Sequence, residues 1–338
     1  MKKQTWILML AALVFSCSKF TYGVGSNDTT CLETVVASED SSYVYKIMAS
    51  RMVNALHYVW DADTAAHKVP CGEYYFAAFH AQDSVYEIEG LDDFMKDASV
   101  SMQEVYAVLP HVETATDDRM ASYNPYASFV KPADGPLLCA FKRVSAQDSA
   151  QIVFLSPRSL TQRLDFRLKI RPKEGVEIKS VRAAISGVAG KVRLMSGLIR
   201  NDAANPTFRQ YVYMAETASE GDVCTYEGST SVLGLFAPSS REYTAGPGIF
   251  QVEISASASE GGTMFDRVFY AGINMKEIIE KAALMEEARD RSGFRVLKSE
   301  ALLVVPTTLE VGRDQVVSGE GDGLEEWFIN DADIDIEI

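Results

Sequence analysis

The sequence predicts an all-β fold built from tandem β-sandwich domains with short helical insertions. The strongest sign is the segment Arg163–Arg171, in which apolar and charged residues alternate. Such alternation is typical of a strand with one face on a core and the other in water. Turn-forming residues also recur between short apolar runs, as at Asp134–Pro136 and Gly246–Gly248. Many short strands with this punctuation favour sandwiches over alternating βαβ units.

Three further segments are predicted to be strands. Gln251–Ala256 repeats the alternation more weakly, and Gly72–His80 is rich in aromatic residues. Ala301–Val305 is a short apolar run that stops at Pro306. The small residues of Ser186–Gly190 lack the spacing of a phosphate-binding loop, and we interpret them as a bend within a strand.

Two segments are predicted to be helices packed on a sheet. Met275–Arg289 places apolar residues on one face, with Glu277 and Lys281 four residues apart on the other, and Gly293 follows its end. Asp92–Leu109 is the weaker of the two. Neither is expected to carry function.

The chain divides into four parts in this interpretation. Residues 1–16 are a signal peptide, 17–145 an N-terminal β-sandwich domain, 146–311 a C-terminal β-sandwich domain, and 312–338 a Gly-rich tether with a C-terminal strand. The boundary is placed by the small, polar stretch Ser145–Ala150, after which the strongest strand signal begins.

The charge balance excludes one class of partner. The chain has 338 residues and a formal net charge of −15. Nucleic-acid binding needs clustered Lys and Arg side chains against phosphates, so we expect no nucleic acid as a partner. A basic patch for an anionic membrane is not expected either.

The N-terminus predicts export and lipid attachment. Lys2 and Lys3 precede an uncharged apolar run from Trp6 to Phe15, too short for the roughly 20 residues of a membrane helix. The run ends in Ser16-Cys17, the register at which bacterial lipoproteins are processed and acylated. We therefore predict lipidation of Cys17. An ordinary secretory signal with an incidental Cys is the alternative.

Four cysteines remain after that signal: Cys31, Cys71, Cys139 and Cys224. Export permits disulfides, and four cysteines allow three pairings between which the sequence does not choose. Free buried thiols are an equal alternative.

No local motif for catalysis, metal binding or cofactor binding occurs. The four histidines are far apart and none has metal-ligand spacing. Acidic pairs such as Asp92-Asp93 fit the solvated surface of an acidic protein. We therefore expect no enzyme, no cofactor and no metal.

The order of several weak motifs resembles a known family. The motifs follow one another in the chain as Cys17 and Cys31, Tyr58-Val59-Trp60-Asp61, Pro70-Cys71-Gly72-Glu73-Tyr74, Leu160-Thr161, Ala184 to Gly190, and a Gly-rich end with Trp327 and alternating isoleucines. This order is similar to that of the fimbrillin-related anchor and accessory lipoproteins of Bacteroides-type (type V) fimbriae. The resemblance covers most of residues 17–338.

The resemblance implies a fold, a location and partners. It implies two transthyretin-like (Greek-key) β-sandwich domains, an outer-membrane lipid anchor at Cys17, and fimbrial subunits of the same system as partners. The implied function is to anchor or assemble fimbriae without catalysis. Surface-exported lipoproteins of these bacteria often carry an acidic run just after the lipidated Cys, but this chain has Ser18-Lys19-Phe20 there. The resemblance therefore does not decide whether the protein faces the outside of the cell.

The C-terminal segment is a candidate partner-binding strand. Ile334, Ile336 and Ile338 alternate with acidic residues, so one side of an extended segment is apolar. Such a segment adds to a partner's sheet edge or completes the protein's own sheet. Two other functions are compatible with the sequence: a surface glycan-binding lipoprotein, which needs a shelf of exposed aromatic rings, and an exported hydrolase, which needs a deep polar pocket.

Overall fold

The computed structural model describes residues 29–38, 40–63, 66–114, 118, 120, 128–147, 149–202, 205–238, 246–260 and 263–318. Strands dominate these residues, and the predicted all-β class with sandwich domains and short helical insertions is confirmed. The strands in chain order are β1 (Thr29–Val36), β2 (Lys46–Arg51), β3 (His57–Asp61), β4 (His67–Pro70), β5 (Gly72–Ala81), β6 (Glu87–Glu89), β7 (Tyr106–Val108), β8 (His111–Val112), β9 (Phe129–Val130), β10 (Leu137–Ala146), β11 (Gln151–Leu155), β12 (Arg158–Ser159), β13 (Gln162–Pro172), β14 (Val176–Ala189), β15 (Lys191–Arg193), β16 (Thr207–Tyr213), β17 (Ala215–Glu220), β18 (Val223–Val232), β19 (Ile249–Glu260), β20 (Thr263–Asn274), β21 (Met285–Glu287), β22 (Phe294–Val296), β23 (Glu300–Val311) and β24 (Val316–Ser318). The helices are α1 (Leu91–Lys96), a 3₁₀ turn (Met102–Glu104) and α2 (Lys276–Ala282).

The described residues form two compact units. The first takes the described residues up to 80 together with 90–105 and 138–158, and the second takes 81–89, 106–137 and the residues from 159 onward. Residues 106–137 belong to the second unit because β7 pairs with β15, and β9 with β16. The domain boundary placed at 145/146 from the sequence stays a prediction.

The first unit is a sandwich of a three-stranded and a five-stranded sheet. Their orders are β11-β1-β4 and β12-β10-β5-β2-β3. The core lies between them, where Leu32 and Leu155 of the small sheet meet Ile47, Trp60 and Phe76 of the large one. β1 pairs in parallel with β11 and antiparallel with β4, so it is the central strand of the small sheet.

The second unit contains a five-stranded and a six-stranded sheet. Their orders are β17-β18-β13-β23-β24 and β20-β19-β14-β16-β9-β8. The rings of Phe166 on β13 and Phe250 on β19 stack with centroids 4.8 Å apart, so the core lies between the two sheets. Two smaller sheets, β15-β7-β6 and β21-β22, complete this unit among the described residues.

Two sequence predictions about strands are confirmed. In β13 the side chains of Leu164, Phe166, Leu168 and Ile170 are fully buried and alternate with charged residues, as the period of two predicted. Within β14 the register against β16 shifts at Gly187, whose φ is +88°. The register shift is a β-bulge. Glycine suits it because a residue with a side chain disfavours a positive φ.

Both predicted helices are shorter than expected. Helix α2 ends because Ala283 adopts a left-handed conformation with φ 50°, and Met285 then pairs with Val296 in a β-ladder. Helix α1 ends at Asp97, whose carboxylate accepts a hydrogen bond from Ser99 N and so turns the chain. The rest of the predicted Asp92–Leu109 helix is a 3₁₀ turn and β7.

The first residues assigned to the tether, 312–318, form a turn and a strand. Gly312 N donates to Gln315 O in a tight turn, and β24 then pairs back along the end of β23. Val316 is fully buried, and its burial holds this hairpin on the five-stranded sheet.

Candidate partner-binding surface

The site residues predicted from the sequence are not among those that the structure describes. Cys17 precedes the first described residue, and Ile334, Ile336 and Ile338 follow the last. Both predictions therefore stay predictions. A partner-binding surface has to be sought on the strands themselves.

One border of the five-stranded sheet is an exposed apolar edge. Strand β13 pairs with one side of β23, but β24 pairs only with Leu309–Val311 on the other side. No described strand pairs with that other side at Glu300–Val305. Within this stretch Leu302 and Val304 are 48% and 43% exposed. Helix α2 also lies against β23. We call residues Glu300–Val305 the open edge, because a strand border without a strand partner can accept another strand.

A second strand border lies on the same side of the second unit. Strand β20 is the last strand of the six-stranded sheet, and its first residues, Thr263 and Met264, are exposed. The guanidinium of Arg267 on β20 lies 3.2 Å from the carboxylate of Asp314, in the turn between β23 and β24. This ion pair joins the two borders, so both sheets end on one side of the sandwich.

The opposite border of the five-stranded sheet is protected. Every residue of β17 is exposed, and its sequence is Ala-Glu-Thr-Ala-Ser-Glu, without a large apolar side chain. Its register against β18 also shifts between Glu216 and Ala218. Charged side chains and bulges are the devices by which proteins prevent pairing at a sheet edge. Only the β23 border of this sheet, among the described strands, offers an apolar run.

A polar cluster on the outer face of the six-stranded sheet was the second candidate site. Arg182 on β14 donates two hydrogen bonds to the Glu253 carboxylate, at 2.7 and 2.8 Å, and one to Asp118 at 3.2 Å. The hydroxyl of Tyr211 donates to the other oxygen of Asp118 at 2.6 Å. The hydrogen bonds that Arg182 donates to Glu253 raise the pKa of Arg182, and burial raises the pKa of Tyr211.

These contacts, together with those of Arg209, hold Asp118, Met120 and Phe129 against the sheet. Arg209 is buried, its guanidinium lies 4.4 Å from the ring centroid of Phe129, and it donates to the Met120 carbonyl. Met120 and Phe129 pack on Ala184 and Tyr270 of the sheet in a small apolar cluster. The adjoining cavity is about 160 Å³. Because Arg182 is bonded to both carboxylates and Arg209 to a backbone carbonyl, the arrangement fits a structural clamp.

The described residues offer no second site of metal, disulfide or membrane-spanning character. They contain no group of three or more His, Cys, Asp or Glu side chains arranged to hold a metal ion. Cys31, Cys71, Cys139 and Cys224 are all described and none of them forms a disulfide. Burial raises the pKa of the Cys139 thiol to about 12. No helix in the described ranges has the length and apolar character that a membrane crossing requires.

Only part of these surfaces has a local signal in the sequence. The apolar run Ala301–Val305 and its stop at Pro306 were visible, but which side of the strand is unpaired depends on strand order. The Arg182 cluster joins residues 64 and 71 positions apart, so no local motif could reveal it.

Several solved structures are similar to this chain. A candidate adhesin from Bacteroides ovatus is 12% identical with a TM-score of 0.45, and the match covers 75% of this chain and 84% of that one. The fimbrial anchor protein Mfa2 from Porphyromonas gingivalis is 14% identical with a TM-score of 0.39, covering 89% and 96%. A candidate polysaccharide-binding protein from Bacteroides thetaiotaomicron is 9% identical with a TM-score of 0.39, covering 90% and 98%.

Neither a protein-family model nor a curated protein matches this sequence. Because the TM-scores of these structures lie below 0.5, the all-β assignment rests on the strand pairing described above.

Proposed function

We propose that this protein is a lipid-anchored surface protein that anchors or assembles fimbriae by strand pairing and does no catalysis. Cys17 carries the lipid that holds it to the outer membrane, and its partners are fimbrial subunits of the same system. The observation that carries the proposal is the open edge, Glu300–Val305. An extended segment of a partner gains backbone hydrogen bonds there and covers Leu302 and Val304.

In this proposal the C-terminal segment is the strand that the protein supplies to another subunit. Ile334, Ile336 and Ile338 are the apolar side of a strand that pairs with the sheet edge of another subunit. The acidic residues between them reduce pairing with wrong edges. The protein thus both accepts and supplies a strand.

Co-purification from native membranes tests the open edge. The tagged full chain is compared with Leu302→Lys and Val304→Lys, which place a charge where a partner's strand would cover the edge. Ala218→Lys on the protected strand β17 is the matched control. We expect both edge variants to lose the fimbrial subunits while the control keeps them. Equal recovery with all three variants would contradict the proposal.

Replacement of Cys17 tests the anchor. Cys17→Ala should move the exported protein from the membrane fraction to the supernatant, because the acyl chains supply the attachment. A variant that stays on the membrane, together with wild-type protein lacking an acyl mass, would overturn the anchor.

Glycan binding is the alternative, and the exposed rings do not favour it. The aromatic side chains exposed among the described residues are Phe141, Phe154 and Tyr213. They lie on β10, β11 and β16, which belong to three different sheets. The half-buried ring of Tyr75 on β5 stacks on Phe141 with centroids 5.6 Å apart, so these two rings form one small pair. A sugar-stacking shelf needs rings side by side on one surface.

A further inference from the structure

The loop between β2 and β3 exposes three apolar side chains. Met52, Val53 and Leu56 are 42%, 63% and 40% exposed. Residues 52–56 read Met-Val-Asn-Ala-Leu and contain no charge, in a chain whose net charge is −15. Single exposed apolar residues are ordinary, but a cluster on one loop marks a binding surface. We call residues 52–56 the apolar tip.

The apolar tip is a fixed structure. Arg51 N donates to Leu56 O at 2.9 Å and closes the loop, and Met52 N donates to Glu73 O at 2.8 Å. Asn54 and Ala55 both have left-handed backbones, with φ of 71° and 43°. The apolar side chains therefore project from a tight turn tied to the neighbouring strand β5.

The chain enters the first unit at the same end as the apolar tip. Thr29, the first residue of β1, pairs with Pro70, the last residue of β4. The next residue, Cys71, accepts a hydrogen bond from the guanidinium of Arg51 at 2.5 Å. Arg51 is also the last residue of β2, from which the tip projects. The start of β1 and the tip are thus joined through one side chain.

We propose that the apolar tip inserts into the surface of the lipid bilayer to which Cys17 is attached. The inference rests on the proposed anchor. Cys17 lies twelve positions before Thr29, and a fully extended chain of that length spans at most about 40 Å. The end of the unit that carries the tip is therefore the end tethered to the lipid. Transfer of the apolar side chains of an uncharged loop from water into the lipid interface is favourable.

The neighbouring helix α1 indicates which lipids suit this surface. The ring of Phe94 stacks on His57, the first residue of β3, with centroids 4.1 Å apart. Asp92 and Asp93 of the same helix are exposed carboxylates, and Asp92 pairs with Lys96, so two acids and one base leave α1 with a net charge of −1. Met95 adds an exposed apolar side chain. Negative charge beside the tip disfavours anionic headgroups, so the matching probe is a zwitterionic phosphatidylcholine vesicle.

Fluorescence quenching by brominated lipid tests the insertion. The full-length acylated protein carries either Val53→Trp at the tip or Val44→Trp as the matched control, and is reconstituted on phosphatidylcholine vesicles with brominated acyl chains. Val44 is 65% exposed, close to the 63% of Val53. It precedes the other end of β2, and the rise of that strand separates its two ends by about 17 Å. The other Trp residues are common to both variants.

We expect Val53→Trp to lose most of its added fluorescence and to shift to the blue, and Val44→Trp to do neither. Acylated protein with equal quenching at both positions would overturn the insertion and leave the anchor standing. Mass spectrometry of the same sample separates the two proposals. Protein without an acyl mass at Cys17 would remove the anchor, and the insertion with it.

Discussion

The Arg267 guanidinium and the Asp314 carboxylate lie 3.2 Å apart and join the two large sheets of the second unit at one border. Arg267 is on β20 and Asp314 is in the turn before β24, so the pair sits where both sheets stop. The same border carries the open edge, Glu300–Val305. A sandwich with one protected border and one apolar border is suited to adding a strand on one side only.

The bulge at Gly187 should be intolerant of a side chain. A Cβ there would lie 2.8 Å from Gly248 N and from Phe236 O, and the backbone is left-handed. Gly187→Ala should lower the free energy of unfolding by about 2–5 kcal/mol, from the conformational cost and the clash together. Urea unfolding measures it.

Gly221→Ala is the control for that change. Its φ is +64°, but no atom lies within 4 Å of the added Cβ. The loss should then be only the conformational part, about 1–2 kcal/mol. Equal losses at the two positions would show that packing at the bulge contributes nothing.

The clamp at Arg182 should contribute to stability. Arg182→Ala leaves Glu253 and Asp118 without their shared donor, and we expect a loss of about 1–3 kcal/mol in thermal or urea unfolding. Lys96→Ala removes an exposed i,i+4 pair with Asp92 and should change stability by no more than about 0.5 kcal/mol. A loss at Lys96 as large as that at Arg182 would refute the clamp.

The first unit should lose stability in mild acid because of His67. Burial lowers the pKa of His67 below its ordinary value of 6.5. Its ring stacks on Trp60 at 4.2 Å, and its Nε2 atom is buried without a hydrogen-bond partner in the structure. The unfolded chain therefore binds a proton first, so the stabilising contribution is complete above pH 6.5 and is lost as the pH falls from there through the lowered pKa of the folded protein.

His67→Phe keeps the ring contact and removes the titration. Melting temperatures from pH 8 to pH 5 should fall less steeply in this variant than in the wild type. An unchanged pH dependence would show that another group is responsible.

Limited proteolysis should cut within the predicted boundary region. Ser145, Gln147, Ser149 and Ala150 are exposed. A cut there should yield fragments of roughly 130 and 190 residues on a denaturing gel. The fragments should stay together in size-exclusion chromatography, because β11 after the cut pairs with β1 before it. Cleavage at the termini alone would argue against an accessible boundary.

The sequence predicted the elements whose signal is local. Strand β13 was predicted because each of its side chains faces either a core or water, so its pattern follows the pleat. The helix beginning near Met275 was predicted too long because Met285 fits a helical face equally well. Met285 is instead a strand residue because it pairs with Val296, eleven residues away, and a contact at that distance leaves no local pattern.

The surfaces could not be predicted to the same extent. The open edge depends on which strands neighbour β23, and the apolar tip depends on Arg51 reaching Cys71, twenty residues away. Neither relation leaves a periodic pattern in the sequence. The signal for lipid attachment at Cys17, in contrast, is local in the sequence, and the attachment stays a prediction.

Deletion of residues 331–338 tests most directly whether this protein holds its partners by strand pairing. The deletion removes Ile334, Ile336 and Ile338 and leaves every described strand intact. Co-purification of fimbrial subunits and the melting temperature of the isolated protein are measured on the same samples. The account predicts loss of the subunits with an unchanged melting temperature. A large fall in the melting temperature with the subunits retained would contradict it, since the segment would then complete the protein's own sheet.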